Sequence, residues 1–585
     1  MRIALAQINP LVGDLPGNAA RIFAACQQSQ QQGEPADLLL TPELSLWGYP
    51  PRDLLLNPRG VAQQQTVMDQ LSQDLHDLAP ALAVLVGVVE PAGDSALPHL
   101  FNAVALIQGG RWRVVGRKQL LPSYDVFDES RYFRAASGPS CLTLNLAGQS
   151  WRLGLTICED LWVEPALQNQ RLTGPDPVAA LEPLGVDLLL NLSASPFAQK
   201  KSPLRRELAA RAAARLNCPV IYVNQVGGND ELIFDGGSFV IDRPREEDQA
   251  APTLALQLPI CKEALDLWDA GSTPAASELS PKGPSATRRD HVVMNREEQL
   301  LRALVLGVHD YAGKCGFQRA LLGLSGGIDS ALVAVIACAA LGADRVQALL
   351  MPSPWSSRGS IEDADALAQR LGLHTDTTPI EALMASFAAT LTPVLHGPPA
   401  DVTAENLQSR IRGTLLMAVA NQQGQLLLST GNKSELAVGY CTLYGDMNGG
   451  LAVIGDLYKS TVFALCDWLD NPASQACRSE LGLPASGELV GRAIREKPPS
   501  AELKPDQKDS DSLPDYAVLD PLLRDLIEEH CGEEALLQRG HAPDTVTRVL
   551  RLFRRAEFKR RQAPPLLKVS RQAFGTGWRL PIAAV

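Results

Sequence analysis

Short apolar runs with strand-like composition alternate with helix-like runs throughout residues 1–240. Several runs are apolar at every position, which is typical of strands covered on both faces. Gly109 and Gly110 join two of the runs through a turn typical of a β-hairpin. The pattern predicts a layered α/β sandwich. The predicted strands are RIALAQI, DLLLT, LAVLVGVVE, FNAVALI, RVVGR, RLGLTIC, VDLLLNL and VIYVNQV.

The rest of the chain divides where its composition changes. Residues 243–292 are rich in Pro, Ser, Ala and charge, and we predict a linker there with one short helix near 262–269. Beyond the linker, ALLGL, RVQALLMPS and QLLLST predict parallel strands of a doubly wound sheet. The expected domains are therefore 1–242 and 293–585. Residues 490–515 are polar and proline-rich, which indicates either a functional lid or a disordered loop.

Composition disfavours several classes of protein. A chain of 585 residues is too long for one hydrophobic core. No apolar run approaches the ~20 residues that span a bilayer, and the net charge of −12 disfavours a protein that binds nucleic acid through phosphate. The start, MRIALAQINP, lacks the features of a secretory signal, and the 11 cysteines include no C-x-x-C pair. We therefore expect reduced thiols and a cytoplasmic location.

The stretch GLSGGIDSALVAV (323–335) places a glycine-rich loop between a strand and a helix. Glycines let the backbone approach an anion, and a helix predicted at 329–341, ended by Gly342, points its positive end at the loop. Ser325 and Ser330 add hydroxyl donors. Because no lysine follows the glycines, an NTPase loop that holds a γ-phosphate is disfavoured. The alternative is a plain turn between strand and helix.

Two further stretches carry polar side chains suited to a ligand. Asn406 and Arg410 share one face of a helix predicted at 405–421, although a solvated polar stripe would have the same pattern. Thr430 and Glu435 follow a strand at the end where open α/β sheets bind ligands.

Asp329 in the glycine loop and Glu435 are the acids that we expect to hold Mg²⁺. A hard cation prefers oxygen ligands and phosphate. A surface salt bridge is the alternative for either acid.

The loop resembles the S-G-G-x-D-S loop of the ATP pyrophosphatase family. Together with MPS, ENLQSRIRG, LSTGNKSELAVGYCTLYGD, GDLYKS and FKRRQAPP, it resembles the NAD⁺ synthetase family over most of 293–585. The resemblance implies that ATP adenylates the nicotinate carboxylate of deamido-NAD⁺ and releases pyrophosphate. Ammonia then displaces AMP to form the amide.

The same resemblance assigns residues to each substrate. Lys459 is implied to neutralise phosphates, Trp355 stands where the family has tyrosine, and Lys508 interrupts an otherwise acidic run. Glu435 has two possible roles, metal ligand or substrate contact. The implied ATP positions are Gly323, Leu324, Ser325, Gly326, Gly327, Ile328, Asp329, Ser330, Met351, Arg412 and Thr430, and the implied dinucleotide positions are Asn406, Glu435 and Lys559.

Three residues of the amino-terminal half each follow a predicted strand: Glu43, Lys118 and Cys158. A thiolate favoured by a nearby cation is a competent nucleophile, a carboxylate can take its proton, and a lysine can stabilise an oxyanion. Taken singly, a buried apolar cysteine and two solvated charges are the alternatives.

The sequence around these residues resembles the nitrilase, or carbon–nitrogen hydrolase, superfamily over 1–242. The similar stretches are TPELSLWGYPPRDLL, GRKQLLPSYDVFDESRYF, LTICEDLW and LNLSASPF. This resemblance implies an αββα sandwich, a Glu43–Lys118–Cys158 triad that cleaves amides through a thioester, and a supporting acid at Glu129. It also implies glutamine-binding positions at Tyr124, Ser195 and Lys201, with Lys200 as the alternative to Lys201.

The two halves together resemble the glutamine-dependent NAD⁺ synthetase family, in which one unit supplies ammonia to the other. This resemblance implies a ligase that uses ATP, Mg²⁺, glutamine and deamido-NAD⁺, binds neither nucleic acid nor membrane, and forms a homo-oligomer. Another ATP-pyrophosphatase ligase or a tRNA-modifying enzyme is one alternative. An inactive scaffold that binds a partner is the other.

Overall fold

The computed structural model describes residues 1–31, 33–94, 96–165, 167, 172–243, 252–270, 294–505 and 507–584. These residues form two compact units. The amino-terminal unit lies within 1–229 and 234–294, and the carboxy-terminal unit lies within 230–233 and 295–585. No helix in the described ranges is long and apolar enough to cross a membrane.

Strands and helices up to residue 270 follow the alternating pattern of the sequence. The strands are β1 (Arg2–Gln7), β2 (Leu38–Leu40), β3 (Ala83–Pro91), β4 (Leu100–Gln108), β5 (Arg111–Arg117), β6 (Ser140–Leu146), β7 (Gln149–Ile157), β8 (Leu188–Ser193), β9 (Val220–Asn224), β10 (Val226–Asn229), β11 (Leu232–Asp235), β12 (Phe239–Ile241), β13 (Leu254–Gln257) and β14 (Ala264–Asp269). The helices are α1 (Leu15–Gln31), α2 (Pro58–Leu78), α3 (Pro177–Leu181) and α4 (Lys201–Leu216).

Two six-stranded sheets form the centre of the amino-terminal unit, in the orders β14-β1-β2-β3-β4-β5 and β13-β12-β9-β8-β7-β6. In the first sheet β1, β2 and β3 are parallel, and in the second β7, β8 and β9 are parallel. The remaining neighbours in both sheets are antiparallel.

The sheets pack face to face through one apolar core. Leu5 and Leu40 of the first sheet and Leu190 and Ile221 of the second belong to this core. The other face of the second sheet packs on α3 and α4, and α1 and α2 lie together beside the first sheet. The fold is therefore the predicted αββα sandwich, which explains why β3 and β8 are apolar along almost their whole length.

The prediction of a helix near 262–269 is wrong. Ala264–Asp269 is strand β14, which pairs antiparallel with β1 from Ala264 opposite Gln7 to Asp269 opposite Arg2. Strand β13, also within the predicted linker, pairs with β12. Strands β13 and β14 lie at the sheet edges and are only partly buried. Their sequences therefore mix polar and apolar residues, which is also typical of a linker. Residues 244–251 and 271–292 of the predicted linker lie outside the described residues.

The carboxy-terminal unit is built on a parallel sheet flanked by helices. Its strands are β15 (Ala320–Gly323), β16 (Val346–Leu350), β17 (His374–Thr377), β18 (Leu426–Ser429) and β19 (Leu451–Ala452). Its helices are α5 (Arg296–Lys314), α6 (Ile328–Leu341), α7 (Arg358–Leu371), α8 (Glu381–Leu395), α9 (Asp401–Gln423), α10 (Lys433–Val438), α11 (Lys459–Leu469), α12 (Gln475–Glu480), α13 (Arg492–Glu496), α14 (Tyr516–Ile527), α15 (Glu533–Gln538), α16 (Pro543–Arg555) and α17 (Glu557–Arg560).

The strand order β17-β16-β15-β18-β19 confirms the doubly wound prediction. All neighbouring pairs are parallel. The first strand of this unit along the chain, β15, lies at the centre, so the winding reverses between β15 and β18. Ligands of open α/β sheets bind at such a switch point, outside the carboxyl ends of the strands. The glycine loop leaves β15 at this point.

Candidate active sites in the two units

Glu43 lies in a tight turn just after β2. A Cβ atom on Gly87 of β3 would lie 2.2 Å from the backbone nitrogen of Leu44, so only glycine lets β3 approach this turn. The Gly87 N–H donates to Ser45 Oγ at 3.1 Å, and Leu46 N–H donates to the Gly87 carbonyl at 3.1 Å. The turn is therefore fixed against the sheet, with Glu43 only 1% exposed.

Lys118 joins two buried carboxylates. Its Nζ lies 2.6 Å from Glu43 Oε1 and 2.7 Å from Glu129 Oε1. All three side chains are buried. Burial lowers the pKa of Lys118, but the charges of Glu129 and Glu43 outweigh burial and hold this pKa well above its ordinary value. Three of the residues predicted for catalysis thus form one cluster around a charged ammonium group.

Three groups that the sequence analysis missed complete this cluster. Tyr49 OH donates to Glu129 Oε1 at 2.8 Å, and Asn102 Nδ2 donates to Glu43 Oε1 at 2.7 Å. The backbone N–H of Ala194 donates to Glu43 Oε2 at 3.0 Å. These donors hold both carboxylates in one orientation. Tyr49 is the second aromatic residue of LWGYPP, directly downstream of Glu43, and that proximity was the available signal.

Cys158 directly follows β7 and opens a short 3₁₀ turn, Cys158–Leu161. Its φ of 45° lies in the left-handed region, which is uncommon for a residue with a side chain. Burial raises the pKa of the Cys158 thiol, Glu43 raises it further, and Lys118 opposes both. The resting thiol is therefore protonated, and nucleophilic attack requires a base to remove its proton.

Glu129 is the second carboxyl that contacts Lys118, and burial affects its ionisation. Burial raises the pKa of Glu129 to about 7, although Lys118 acts in the opposite direction. Below this pKa the acid is neutral, and above it the carboxylate neutralises Lys118. The electrostatic attraction between Glu129 and Lys118 therefore changes with pH near neutrality.

The residues predicted to bind glutamine lie in different surroundings. Tyr124 OH donates to Glu159 Oε1 at 2.9 Å. Ser195 is buried, and its Oγ accepts from Arg205 Nε at 3.1 Å. The charge of Lys201 lowers the pKa of both Cys158 and Glu159, although burial outweighs it and raises the pKa of each. Of the two lysines left open by the sequence, this favours Lys201.

The glycine loop of the carboxy-terminal unit is held by its own serines. Ser325 Oγ and Ser330 Oγ lie 3.1 Å apart, and Gly327 N–H donates to Ser325 Oγ at 3.2 Å. Gly326 has φ 76°, and a Cβ atom there would lie 2.0 Å from the Ser360 carbonyl oxygen. A side chain at Gly326 is therefore excluded both by conformation and by space. Helix α6 begins directly after the loop, at Ile328.

A cavity of about 590 Å³ lies at the carboxyl ends of β15, β16 and β18. All predicted ATP-side residues line it except Gly326, whose neighbours do. Trp355, Lys459 and Asp509 also contribute to its wall. Residues 497–504 line it too, so the segment predicted to be either a functional lid or a disordered loop borders this site. The volume falls within the range of small-molecule sites.

Asp329 and Glu435 lie on either side of one lysine. Lys459 Nζ forms an ion pair with Asp329 and lies 3.7 Å from Glu435 Oε1. Asn432 caps α10, accepting from the Glu435 N–H at 3.0 Å, and its Nδ2 donates to Asp329 Oδ1 at 3.0 Å. Burial raises the pKa of Glu435 to about 8, the charge of Asp329 adds to this, and Lys459 opposes both.

The carboxylates of this cluster suit a hard cation. In the described part of the chain no group of three His, Cys, Asp or Glu side chains is arranged to hold a metal ion. Mg²⁺, however, commonly takes only one or two carboxylates and completes its shell with phosphate and water. Asp329 and Glu435 fit such a partial site, next to a loop suited to phosphate.

Asn406 and Lys559, predicted to contact the dinucleotide, do not line this cavity. Both instead contact one neighbouring segment. Thr442 Oγ1 donates to Asn406 Oδ1 at 2.8 Å, and Lys559 Nζ donates to the carbonyls of Gly439 and Cys441 at 2.8 and 2.7 Å. Cys441 lies in the cavity wall, so these contacts connect the two residues to its edge.

Lys497 and Glu502 form hydrogen bonds with residues at the start of α7. Glu502 Oε1 accepts from Ser357 Oγ at 2.9 Å and from Ser360 Oγ at 2.7 Å. Lys497 Nζ donates to Ser360 Oγ at 3.2 Å and to the Gly326 carbonyl at 3.3 Å. A lysine remote in sequence thus reaches the glycine loop, although none follows the glycines directly.

Each unit matches one family model. The carbon-nitrogen hydrolase model matches residues 2–244, and the NAD synthase model matches residues 300–563. A sandwich with a Glu–Lys–Cys cluster, joined in one chain to a doubly wound unit with a pyrophosphatase-type loop, defines a class: ATP-dependent ligases that carry their own amide-hydrolysing unit.

Full-length relatives make the assignment specific. The chain is 48% identical to a glutamine-dependent NAD(+) synthetase from Synechocystis sp., over 99% of this chain and 98% of the relative. It is 39% identical to the protein of that name from Thermotoga maritima, over 100% and 98%. The chain belongs to the family of glutamine-dependent NAD⁺ synthetases.

Two solved structures extend this comparison. A glutamine-dependent NAD⁺ synthetase from Acinetobacter baumannii, in complex with ADP, is 36% identical with a TM-score of 0.71, covering 99% of this chain and 98% of that one. A structure from Cytophaga hutchinsonii shares the fold at 21% identity, with a TM-score of 0.76 over 100% and 98% of the chains.

Proposed function

We propose that this chain makes NAD⁺ from deamido-NAD⁺, ATP and glutamine, with hydrolysis of glutamine in the amino-terminal unit and amidation in the carboxy-terminal unit. The overall reaction consumes water and gives NAD⁺, AMP, pyrophosphate and glutamate. The observation that carries this proposal is the cluster in which Lys118 contacts both Glu43 and Glu129 beside Cys158. This cluster is chemically complete for cleaving an amide.

In the first half-reaction, Cys158 Sγ attacks the side-chain amide carbon of glutamine while Glu43 accepts the thiol proton. Lys118 stabilises the negative oxygen of the tetrahedral intermediate. The C–N bond then breaks, ammonia leaves with the proton returned by Glu43, and a thioester remains. Water activated by Glu43 cleaves the thioester to glutamate and restores the thiol.

Charge complementarity supports the proposed binding of glutamine. The buried Glu159 carboxylate suits the ammonium group of the amino acid, and Lys201 suits its carboxylate. Tyr124 orients Glu159 through its hydroxyl. We assign Ser195 a role in shaping this site, because its Oγ is already bonded to Arg205.

In the second half-reaction, the nicotinate carboxylate of deamido-NAD⁺ attacks the α-phosphorus of ATP. The backbone N–H groups of residues 325–330, the N-terminus of α6 and Lys459 stabilise the departing pyrophosphate. Ammonia then attacks the activated carbonyl carbon, loses a proton, and AMP leaves as the amide forms. Met351, Arg412 and Thr430 line the proposed ATP site.

Asp329 and Glu435 are the residues that we propose to hold Mg²⁺, which would supply charge neutralisation at the phosphates. Glu435 keeps its second possible role as a substrate contact. Asn406 and Lys559 are proposed to shape the dinucleotide side through the segment 439–442.

A homo-oligomer and the domain boundaries are also proposals. Helix α8 buries none of its residues, and Leu383, Phe387, Val394 and Leu395 on it are exposed, which supports a second copy of the chain as its cover. Light scattering should show a mass above the 62.8 kDa of one chain. A monomer at micromolar concentration would refute this. We retain 293–585 as the second functional domain and propose that the first, predicted as 1–242, also includes β13 and β14, because both strands belong to its sheets. The cytoplasmic location stays a prediction.

One assay tests the proposed function. NAD⁺ formation from deamido-NAD⁺ should require ATP and should be supported by either glutamine or ammonium. AMP and pyrophosphate should appear in equal amounts with NAD⁺. Failure of both nitrogen donors under conditions in which the protein is folded would exclude the function.

A further inference from the structure

Asp160 stands two residues after Cys158 and is almost completely buried. Its Oδ1 accepts from the backbone N–H groups of Gln119 at 3.0 Å and Leu120 at 2.8 Å. Its Oδ2 accepts from the backbone N–H of Ile157 at 3.1 Å. Both oxygens of the carboxylate are therefore engaged by the protein backbone.

The groups that Asp160 binds belong to the two catalytic segments. Gln119 and Leu120 directly follow Lys118, after strand β5 of the first sheet. Ile157 directly precedes Cys158, at the end of β7 in the second sheet. One carboxylate thus ties the segment that carries the lysine to the segment that carries the nucleophile, across two different sheets.

The backbone at Cys158 needs such support. A non-glycine residue with φ of 45° is strained, and strain persists only where the surroundings over-determine the conformation. Hydrogen bonds from N–H groups to an ionised carboxylate are stronger than those to neutral acceptors. The hydrogen bond from the Ile157 N–H holds the peptide between Thr156 and Ile157, one residue before the strained Cys158.

The chemistry of Asp160 separates it from the reacting groups. Burial raises the pKa of Asp160 to about 6, while the backbone N–H bonds lower it. At neutral pH the carboxylate is ionised, as its three donors require. Since both oxygens accept hydrogen bonds from the backbone, we assign Asp160 no direct contact with substrate.

We propose that Asp160 is a positioning residue for glutamine hydrolysis: its carboxylate fixes the left-handed turn of Cys158 in register with Lys118. This inference rests on the proposed function. It predicts that the carboxylate is needed for the amidohydrolase step and dispensable for amidation supported by free ammonia.

Asp160→Asn tests this, because the amide is isosteric but turns an NH₂ group toward a backbone N–H. We expect kcat for glutamine-dependent synthesis to fall about 10- to 100-fold, with KM for glutamine and ammonia-dependent synthesis changed less than about 2-fold. Asp187→Asn is the matched control, since exposed Asp187 Oδ2 accepts from Arg152 N–H at 2.7 Å at the other end of β7.

A second readout distinguishes positioning from a general loss of structure. The rate of Cys158 alkylation by iodoacetamide should be measured against pH in folded wild type and variant. Displacement from Lys118 should lower the rate of Cys158 alkylation in Asp160→Asn at each pH of the series. Other charged groups that act on this thiol, among them Glu43, Glu159, Lys201 and Arg205, are unchanged in the variant.

Equal loss of the glutamine- and ammonia-dependent activities, or an unchanged rate and alkylation profile, would overturn the inference. If Asp160→Asn does not fold, Asp160→Glu keeps the charge and displaces the carboxylate, and the same selective loss is expected. Wild type that makes no NAD⁺ with either donor would instead contradict the proposed function, so the two failures are distinguishable.

Discussion

The two candidate sites differ in how much of each is built before substrate binds. In the amino-terminal unit, Glu43, Lys118 and Glu129 are buried, and hydrogen bonds hold each of them in place. In the carboxy-terminal unit, a cavity of about 590 Å³ is bordered by a glycine loop and by residues 497–504. The first site has a small substrate and needs fixed geometry. We propose that the second binds two large anionic substrates, whose phosphates would complete the site.

The two sites share one electrostatic arrangement, a lysine between two acids, but only the second lies beside a loop suited to phosphate. In the first site one ammonium group lies between two carboxylates. In the second site Lys459 lies between Asp329 and Glu435, and burial with Asp329 raises the pKa of Glu435. We therefore expect changes in the first site to affect chemistry directly, and changes in the second to affect binding of nucleotide as well.

The largest expected effect separates the two sites completely. Cys158→Ala removes the nucleophile, so glutamine-dependent synthesis should fall by at least about 10³-fold. Ammonia-dependent synthesis should remain, because no group of the carboxy-terminal site is changed. Steady-state NAD⁺ formation with each donor provides the measurement. Cys141→Ala, at an exposed thiol of the same unit, is the control. Loss of both activities in Cys158→Ala would contradict the assignment of two separate sites.

The glycine loop provides the converse test. Gly326→Ala places a Cβ atom against the Ser360 carbonyl and strains φ, which should displace the backbone N–H groups of the loop. Glutamine-dependent and ammonia-dependent synthesis should therefore both fall about 100-fold. Gly327→Ala is the matched control, because a Cβ atom there would meet only Ser325 Oγ, at 3.3 Å. Equal effects of the two substitutions would contradict the account of the loop. Hydrolysis of glutamine alone should survive both.

The pH dependence of glutamine hydrolysis should report Glu129. With a pKa of about 7, Glu129 ionises between pH 6 and 8, and its carboxylate then holds Lys118. Hydrolysis should therefore rise about 10-fold over this interval, the change expected from one ionisation. Glu129→Gln should remove this rise. A pH profile unchanged by Glu129→Gln would show that another group titrates.

The smallest effect concerns the segment beside the cavity. Glu502→Gln weakens the contacts with Ser357 and Ser360, so KM for ATP should rise about 3- to 10-fold, consistent with one or two hydrogen bonds. Hydrolysis of glutamine alone should not change. Glu496→Gln, at an exposed ion pair with Arg492, is the control. An unaltered KM in Glu502→Gln would show that this contact does not assist ATP binding.

Much of both sites could be predicted because their residues lie next to strong local patterns. Glu43, Lys118 and Cys158 each follow a predicted strand, and the structure brings the first two into direct contact. The loop at 323–330 has glycines, hydroxyls and a following helix in the expected order. Local sequence is sufficient for features of this kind.

Other features depended on distant parts of the chain. Asn102, the Ala194 N–H and Asp160 act through contacts separated by dozens of residues, which no local pattern reports. Strand β14 was predicted as a helix because only its pairing with β1 makes it a strand. Strand β6 was missed although its alternating burial was readable in SCLTLNL. Tertiary contacts decided all of these cases except β6, which the local alternation could have shown.

The central claim is that the carboxy-terminal unit activates a carboxylate with AMP and that the nitrogen comes from glutamine. Wild-type enzyme should be given ATP, deamido-NAD⁺ and glutamine labelled with ¹⁵N in its side-chain amide, and the products should be followed by phosphorus NMR and mass spectrometry. We predict AMP and pyrophosphate, with ¹⁵N in the carboxamide of NAD⁺. Formation of ADP and phosphate, or NAD⁺ without the label, would contradict the account.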